Sequence, residues 1–366
     1  MAYYIGVMSG TSQDGLDIVL ADLNTQSCRL ISAETIPFTQ SLKQQLYDKV
    51  TQPNGHFGDY AKLDVAFGRF IAASINQFLT QQHVSPEQIT AIGSHGHTLF
   101  HQPEGPQPYS LQVGNGNVIA HHTGITTITD FRQRDIAAGG QGAPLVPAFH
   151  HAVFSSKSPD CAIINIGGIA NITVITPSRL IGFDTGPGNT LLDIWVQHHQ
   201  HKAFDEAGRW AKAGQCQPRL LTHYLTDPYF HQPIPKSTGR EYFNLAWIEQ
   251  GLSGFDTQYS AVDVQATLLQ LTAITIAKAI KQYAINTKAI YLCGGGVHNT
   301  TLCKAISAEL PEYNISMTAE LGIDPDWVEG LAFAWLAYRH IEGLPGNIPS
   351  VTGATSSEVL GALYPA

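Results

Sequence analysis

The sequence predicts an α/β protein built from two copies of one βββαβαβ unit. The chain has 366 residues, too many for one ordinary core, because domains typically have about 100 to 200 residues. Short β-branched stretches alternate with amphipathic segments through its first third. The same order recurs weakly after residue 160. The sequence therefore indicates two domains, with a cleft available between them.

The first copy begins with three β-branched stretches separated by turn residues, the pattern of a three-stranded meander. A helix follows, because apolar residues then recur at helical spacing. The predicted elements are strands over 3–8, 16–22 and 28–38, a helix carrying Leu63, Phe67, Phe70, Ile71, Ile75 and Phe78, a strand over 89–93, a helix over 117–122 and a strand over 126–129.

The second copy follows the same order, and two such copies are typical of the duplicated ribonuclease-H-like fold. We expect domain I over 1–130 and domain II over 131–366. Residues 204–256, rich in Pro, Gly, His and aromatic residues, are predicted to form an insertion near the active site or at a dimer surface. The predicted elements are strands over 161–166, 171–176 and 180–183, helices over 189–199 and 264–284, strands over 289–293 and 315–318, and a helix over 327–341.

Composition and charge favour a small-molecule substrate. The formal net charge is -9, and no cluster of Lys and Arg suits a nucleic acid or an anionic membrane. No apolar run approaches the roughly 20 residues of a membrane span. The N-terminus lacks the charged start of a signal peptide, so we expect a cytoplasmic protein. The 5 cysteines lack CxxC spacing, which indicates neither a disulfide framework nor a zinc site.

Histidines are concentrated over residues 94–101, a segment that could suggest a metal site. His95 and His97 are predicted to lie on one face of a strand. Because no acidic or cysteine partners accompany them in the sequence, polar contacts that line a cleft are favoured over metal ligation.

The strongest local motif spans residues 6–17, where a strand leads through small residues into a second strand. Such a hairpin can present backbone N–H groups and hydroxyls to a phosphate. At least one of Asp14 and Asp17 is then expected to hold Mg²⁺, directly or through water. From this segment alone, an ordinary glycine-rich hairpin is the alternative. It is not a Walker loop, because no Gly-Lys-Ser/Thr follows.

Two further glycine turns occur in the second copy. Gly167 and Gly168 form the turn of a hairpin at the place that corresponds to the first motif. Two phosphate-type hairpins that face one cleft are less expected by chance than one. The predicted strand 289–293 is followed directly by Gly294, Gly295 and Gly296. Ligands commonly bind at such strand ends in open α/β sheets. Three glycines there permit close approach by a flat group such as adenosine.

Four charged residues are candidates for chemistry, and each has a structural alternative. Asp184, at a strand end, can act as a general base, or it caps the following helix as Asn189 also could. Arg132 or Arg134 can hold a carboxylate bidentately, or form an interdomain salt bridge. Glu329 lies at the start of the last helix. The sequence favours its interpretation as a first-turn charge stabilised by the helix dipole, and the alternative is a second active-site carboxylate.

Together these motifs resemble the anhydro-N-acetylmuramic acid kinase family of the actin-like ATPase superfamily, in order and across nearly the whole chain. The resemblance implies ATP and Mg²⁺ as cosubstrates and a role in recycling cell-wall sugars. It implies that hydrolysis of the 1,6-anhydro bond is coupled to phosphorylation of O6, giving N-acetylmuramic acid 6-phosphate. The matching segments are 6–17, 94–97, 130–135, 139–144, 165–173, 182–189, 294–299 and 327–330.

The resemblance also implies roles for individual residues. Asp184 would activate water for attack on the anomeric carbon, and Glu329 would help to place that water. Arg132 would meet the lactyl carboxylate, with His97 and Gly142 as further sugar contacts. Asp14 would hold Mg²⁺, possibly through water. The ATP-binding residues implied are Gly10, Thr11, Ser12, Gln13, Asp14, Gly15, Leu16, Asp17, Gly167, Gly168, Gly294, Gly295, Gly296 and Asn299.

Superfamily membership further implies domain closure over the bound nucleotide, and the family suggests a homodimer. Two other functions remain open from the sequence. A kinase of the same superfamily could phosphorylate a plain hexose or a small acid without hydrolysis. A nucleotide-driven conformational or filament-forming ATPase would need no sugar.

Overall fold

A computed structural model describes residues 2–10, 15–25, 27–51, 56–285, 287 and 289–366 of the chain. The chain forms two compact units. Unit 1 consists of Met1–Phe149 together with Trp327–Ala366, and unit 2 consists of His150–Asp326. This division differs from the predicted domains 1–130 and 131–366, because the C-terminal segment belongs to unit 1.

Unit 1 contains the predicted strands and helices of the first copy, and the structure adds elements that the sequence did not predict. Among these additions are α1 (Gln40–Thr51), the hairpin of β5 (His97–Gln102) and β6 (Tyr109–Val113), and the C-terminal strand β13 (Ala362–Tyr364). The boundary between the units falls within α5. The elements are β1 (Tyr3–Met8), β2 (Gly15–Leu23), β3 (Cys28–Pro37), α1 (Gln40–Thr51), α2 (Phe57–Gln81), β4 (Ile89–Ser94), β5 (His97–Gln102), β6 (Tyr109–Val113), α3 (Gly116–Thr123), β7 (Thr127–Thr129), α4 (Gln133–Ala137), α5 (Val146–Phe154), α12 (Val328–Ile341), α13 (Pro349–Thr352) and β13 (Ala362–Tyr364).

The large sheet of unit 1 has the strand order β13-β7-β4-β1-β2-β3. β2 is antiparallel to β1 and β3, while β4 is parallel to β1 and β7. The five strands of the βββαβαβ unit are β1, β2, β3, β4 and β7, and in this sheet they lie in the order 3-2-1-4-5. β13 extends this sheet by antiparallel pairing with β7. The tail 343–366 thus ends in a strand of this sheet.

Helix α12 packs on β1, β2 and β4 of this sheet, and two strand glycines allow the close approach. A Cβ on Gly6 of β1 would overlap the carbonyl oxygen of Gly330. A Cβ on Gly93 of β4 would likewise overlap the carbonyl oxygen of Phe333. This packing joins the last helix to the first strand. The sequence pattern had suggested that this helix belonged to the second copy.

Unit 2 repeats the topology. Its sheet has the order β10-β9-β8-β11-β12, with β9 antiparallel to β8 and β10 and with β11 parallel to β8 and β12. The order along the chain is again 3-2-1-4-5, which confirms the predicted duplicated ribonuclease-H-like α/β fold. The elements are β8 (Cys161–Ile166), β9 (Ile169–Thr176), β10 (Arg179–Pro187), α6 (Thr190–Gln200), α7 (Arg209–Ala213), α8 (Pro218–Tyr224), α9 (Leu245–Ser253), α10 (Ala261–Tyr283), β11 (Ala289–Cys293), α11 (Thr300–Glu309) and β12 (Asn314–Met317).

The predicted insertion, residues 204–256, contains three short helices, α7, α8 and α9. Its aromatic residues pack on one another and on the unit 2 core. Phe243 is fully buried and contacts Tyr229 edge-on and Phe230 face to face. This packing explains the high aromatic content of a segment that has no helical periodicity.

His150 is expected to make the stability of unit 2 depend on pH. Its ring is fully buried and its Nδ1 lies 2.8 Å from the Thr173 hydroxyl. Burial lowers the pKa of His150 to about 3. The unfolded chain binds a proton below about pH 6.5 while the folded chain does not, so stability falls as the pH drops from about 6.5 towards 3. At pH 5 this group alone should lower the free energy of unfolding by about 2 kcal/mol relative to pH 7.

Thermal unfolding of the unaltered chain and of His150→Gln at pH 7 and pH 5 measures this dependence. The variant should lose less stability on acidification than the unaltered chain. The exposed His121→Gln is the matched control and should keep the full dependence. Equal losses in His150→Gln and the unaltered chain would contradict the assignment to His150.

In the part of the chain that the structure describes, no helix has both the length and the apolar character to cross a membrane.

Candidate active site

The hairpin between β1 and β2 carries the first predicted phosphate motif, and the structure describes its two ends. Gly10 follows β1 and Gly15 begins β2, and the Leu16 side chain is fully buried in the core. Only the backbone of Leu16 could therefore contact a nucleotide. Asp17 Oδ1 accepts a hydrogen bond of 2.6 Å from the Thr35 hydroxyl. The remaining predicted residues lie outside the described part of the chain, namely Thr11, Ser12, Gln13 and Asp14.

Ser9 and His97 meet beside the end of β1. Both are buried, and Ser9 Oγ lies 2.8 Å from His97 Nδ1. The prediction that His95 and His97 share one strand face is wrong, because β4 ends at Ser94 and β5 begins at His97. Gly96, with φ of 71°, makes the turn between them. Glycine suits this position because the left-handed region is costly for other residues.

Arg132 is fixed by two acceptors within unit 1. Its Nη2 and Nε lie 2.9 and 3.3 Å from His95 Nε2, and its Nη1 donates to the carbonyl of Gly142 at 2.7 Å. Because arginine can only donate, His95 Nε2 must be the acceptor and the ring proton lies on Nδ1, 3.0 Å from the Gly96 carbonyl. Burial, followed by the charges of Arg132 and His97, holds the pKa of His95 well below its ordinary value. A neutral His95 therefore orients the guanidinium.

A buried carboxylate supports the loop that carries Gly142. Asp135 is fully buried and accepts hydrogen bonds from the Gly142 N–H at 2.7 Å, Asn347 Nδ2 at 2.6 Å and the Thr352 hydroxyl at 2.7 Å. Residues of the C-terminal segment thus hold the loop in place. Asp135 lay within a motif of the sequence, but Asn347 and Thr352 are more than 200 positions away and left no local pattern.

Arg134 and Glu329, the two remaining charged candidates of unit 1, both have structural roles. Arg134 forms an exposed ion pair with Glu358 at 3.1 Å, so it makes a salt bridge within unit 1 rather than between domains. Glu329 lies half-buried in the first turn of α12. A carboxylate is favoured there by the helix dipole, and its assistance in catalysis stays a prediction.

In unit 2 Asp184 is held by the insertion. It lies in β10 and is 6% exposed. Its Oδ2 accepts from the Thr238 N–H at 3.0 Å, its N–H donates to the Lys236 carbonyl at 3.1 Å, and its carbonyl accepts from the Tyr229 hydroxyl at 2.7 Å. Helix α6 begins at Thr190, so the alternative that Asp184 caps this helix is wrong. Two contacts thus fix the backbone of Asp184, and the Thr238 N–H holds its carboxylate.

Lys236 is a buried cation beside this carboxylate. It is 7% exposed, its Nζ donates to the Tyr229 carbonyl at 2.9 Å, and it lies 4.5 Å from the centroid of the Tyr229 ring. Burial lowers the pKa of Lys236, and the Asp184 carboxylate opposes that shift. Burial, followed by Asp184, raises the pKa of Tyr229, so its hydroxyl stays protonated and donates. Sequence reasoning named none of these residues, because their contacts to Asp184 are mostly made by backbone atoms.

The Gly167–Gly168 turn joins β8 to β9 and is bonded to the start of α6. The carbonyl of Gly167 accepts from the Asn189 N–H at 2.9 Å, and that of Gly168 accepts from the N–H groups of Gly188 and Thr190 at 2.9 and 3.0 Å. A Cβ on Gly188 would overlap the Gly167 carbonyl oxygen. The turn is therefore firmly positioned at the end of β8.

The third glycine turn follows β11, beside the end of β8. Gly294 has φ of 79°, and a Cβ there would overlap Asn165 Oδ1. A Cβ on Gly296 would overlap the Ile166 side chain, whereas one on Gly295 would have no atom within 4 Å. Two glycines are thus required by packing. The backbone at Gly295 stays open to approach from outside.

Asn299, also predicted to contact ATP, forms the N-cap of α11. Its Oδ1 accepts from the Leu302 N–H at 3.0 Å. The structure thus groups His97, Arg132 and Gly142 with Ser9 and His95 in unit 1. In unit 2 it places both predicted glycine turns at neighbouring strand ends.

Comparison with known proteins places these features in a family. The family model for anhydro-N-acetylmuramic acid kinase matches residues 2–366. The chain belongs to the anhydro-N-acetylmuramic acid kinase family. Anhydro-N-acetylmuramic acid kinase of Photobacterium profundum is 47% identical over 99% of this chain and 98% of its own length. The enzyme of the same name from Pasteurella multocida is 47% identical over 99% and 97%.

Membership of the anhydro-N-acetylmuramic acid kinase family confirms the family predicted from the motifs. It makes the protein an enzyme, a kinase, and implies the use of ATP. Among solved structures, component A of the (R)-2-hydroxyglutaryl-CoA dehydratase from Acidaminococcus fermentans is 14% identical, with a TM-score of 0.48 over 93% of this chain and 98% of that chain. The family assignment rests on the sequence relatives alone.

Proposed function

We propose that the protein hydrolyses the 1,6-anhydro bond of anhydro-N-acetylmuramic acid and phosphorylates O6 with ATP, giving N-acetylmuramic acid 6-phosphate and ADP. The observation that carries the hydrolytic step is Asp184, whose buried carboxylate accepts from the Thr238 N–H while Lys236 and Tyr229 hold its backbone in β10. Ring opening at an anomeric carbon needs a carboxylate to deprotonate the attacking water. The phosphoryl transfer itself needs mainly positioning and charge neutralisation.

Asp184 would take one proton from a water molecule as the water oxygen attacks the anomeric carbon. The bond from that carbon to O6 breaks, and its electron pair stays on O6. O6 then takes the γ-phosphoryl group of ATP, and ADP leaves. No acid is needed for O6, because phosphorylation neutralises it. We propose that Glu329, in the first turn of α12, assists in placing the water.

The glycine turns fit the binding of ATP. The open backbone at Gly295 suits the close approach of a flat adenosine group, and Gly167 and Gly168 lie in the position proposed for phosphate contacts. Gly10, Gly15 and Asp17 flank the other proposed phosphate hairpin. Asn299 would contribute as the cap that fixes the turn after Gly296.

The residues also fit Mg²⁺ brought in with ATP. Among the described residues, no group of three or more His, Cys, Asp and Glu is arranged to hold a metal ion. Mg²⁺ needs no such group, because substrate phosphates and one or two carboxylates usually hold it. We propose that Asp14 is one of these carboxylates and contacts the ion directly or through water. The ion would neutralise charge on the transferred phosphoryl group.

Arg132 is proposed to bind the lactyl carboxylate of the sugar, with His97 and Gly142 as neighbouring contacts. The support is geometric, since His95 and Gly142 hold the guanidinium in one orientation and a fixed guanidinium binds carboxylates well. We further propose that the enzyme acts in the cytoplasm as a homodimer in peptidoglycan recycling. Light scattering of the purified protein tests the dimer.

Replacement of Arg132 by Lys is expected to raise KM for the anhydro sugar about 10- to 100-fold with a smaller change in kcat. A lysine keeps the charge but loses the planar pair of donors. The binding of the sugar carboxylate then loses the free energy of one charge-assisted hydrogen bond. Steady-state kinetics measure the effect. Arg134→Lys is the matched control, because Arg134 is exposed and pairs with Glu358. An unchanged KM in Arg132→Lys would remove the assigned role.

The decisive test is turnover of the anhydro sugar with ATP in water enriched in oxygen-18. The proposal expects a 6-phosphosugar that carries the heavy oxygen at the anomeric carbon, with one ADP formed for each product. Phosphorylation without heavy oxygen would indicate a sugar kinase that does not hydrolyse its substrate. ADP formation that is independent of sugar would instead favour a conformational ATPase.

A further inference from the structure

Three polar side chains form one row across neighbouring strands of the unit 2 sheet. In the strand register, Asn165 of β8 pairs with Asn171 of β9, and Asn171 pairs with Asp184 of β10. Paired residues of antiparallel strands project from the same face, with Cβ atoms about 4.5 to 5.5 Å apart. Asn171 is therefore the immediate cross-strand neighbour of Asp184.

Asn171 contributes a buried acceptor to this row. The residue is 8% exposed, and its Oδ1 is buried without a hydrogen-bond partner in the part of the chain that the structure describes. Buried polar atoms nearly always have a partner, and exceptions call for an explanation such as a catalytic role or a bound water. A water molecule beside Asp184 would supply this partner.

The other asparagine of the row is used differently. Asn165 Oδ1 lies 3.8 Å from the Cys293 sulfur, and it occupies the space where a Cβ on Gly294 would lie. Its amide thus packs against the third glycine turn. Of the two asparagines, Asn171 is the one next to the proposed base.

We propose that Asn171 is a further catalytic residue, which holds the attacking water together with Asp184. This inference rests on the proposed function. The water gives one proton to the Asp184 carboxylate as its oxygen bonds to the anomeric carbon. Its other proton forms a hydrogen bond to Asn171 Oδ1 and stays on the oxygen, which becomes the new anomeric hydroxyl. The bond to O6 breaks, and O6 takes the γ-phosphoryl group from ATP.

This arrangement predicts discrimination between water and methanol. Water can donate to both acceptors, whereas methanol has one hydroxyl proton and would direct its methyl group at Asn171. In Asn171→Ala the second acceptor is lost and the shorter side chain leaves room for the methyl group. The variant should therefore lose activity with water and gain relative reactivity with methanol.

The test is turnover of the anhydro sugar and ATP in water containing methanol, with the methyl glycoside 6-phosphate and the free 6-phosphosugar quantified. Asn171→Ala is expected to lower kcat about 10- to 100-fold, leave KM for ATP unchanged and raise the methyl-to-hydroxyl product ratio about 10-fold. Its Tm should change little, because Asn171 Oδ1 accepts no hydrogen bond from another described residue. Asn171→Ser, which keeps a shorter acceptor, should give an intermediate ratio.

Thr173→Val is the matched control. It removes a buried hydrogen bond, to His150, two positions along the same strand face. It should lower Tm and leave the product ratio unchanged.

The outcomes separate this inference from the function on which it rests. An unchanged product ratio in Asn171→Ala overturns the inference even if kcat falls, because a merely structural role lowers both products equally. A raised KM for ATP with an unchanged ratio also overturns it and would place the amide on the nucleotide. If the unaltered protein makes no 6-phosphosugar, the proposed function and this inference both fail.

Discussion

Asp184→Asn is expected to lower kcat at least about 1,000-fold, with the protein still folded, because loss of a general base typically costs about 100- to 10,000-fold. The amide keeps the size of the side chain, and its oxygen can still accept from the Thr238 N–H. It cannot take a proton from water at neutral pH. Activity should therefore fall for a chemical reason rather than through loss of structure.

The measurement is steady-state turnover of the anhydro sugar with ATP, together with thermal unfolding of each protein. Asp256→Asn is the matched control, since Asp256 is an exposed carboxylate of the same unit. It should retain full activity. A kcat for Asp184→Asn within tenfold of the unaltered value would remove Asp184 from the role of base, while the family assignment would stand.

Gly6→Ala is expected to lower the free energy of unfolding of unit 1 by about 3 kcal/mol or more, at the upper end for overpacked cores. The added methyl group would overlap the Gly330 carbonyl oxygen and lie 2.7 Å from the Ala334 nitrogen. Both are backbone atoms of α12, which cannot rotate away as a side chain can. Strand and helix must separate, with loss of the surrounding contacts.

Urea denaturation of the whole chain measures this effect. Gly58→Ala adds the same methyl group near the start of α2, where no atom lies within 4 Å. It should raise stability by up to about 1 kcal/mol, because alanine favours the helix and reduces the freedom of the unfolded chain. Equal unfolding midpoints for Gly6→Ala and the unaltered chain would show that α12 shifts without cost.

The central strands of the repeated sheet could be predicted because they are largely buried and appear as apolar runs. The predicted strand 161–166 matches β8, and the predicted strand 289–293 matches β11. The membership of α12 in unit 1 could not be predicted in this way. It depends on contact with β1 across more than 300 residues, and glycine at position 6 also suited the phosphate hairpin.

Asp184 was recognised in the sequence as a candidate base, but β10 continues past the predicted strand end to Pro187, and the surroundings of Asp184 could not be predicted. Lys236 and Thr238 contact it through a backbone carbonyl and a backbone N–H, groups that every residue except proline possesses. The same limit applies to Asn171, whose importance depends on strand register. An asparagine after a glycine turn carries no sign of its cross-strand neighbour.

The attachment of residues 327–366 to the first sheet has a consequence for the order of synthesis. Residues 150–326 form a continuous stretch, so unit 2 can complete its core while the ribosome is still at work. Unit 1 cannot complete its core until the end of synthesis, because α12 and β13 are made last. Helix α12 packs on β1, β2 and β4, and β13 pairs with β7. The nascent first sheet would expose the apolar surface around Gly6 and Gly93 during this interval. Chaperones that bind apolar segments would then meet this protein through its N-terminal strands.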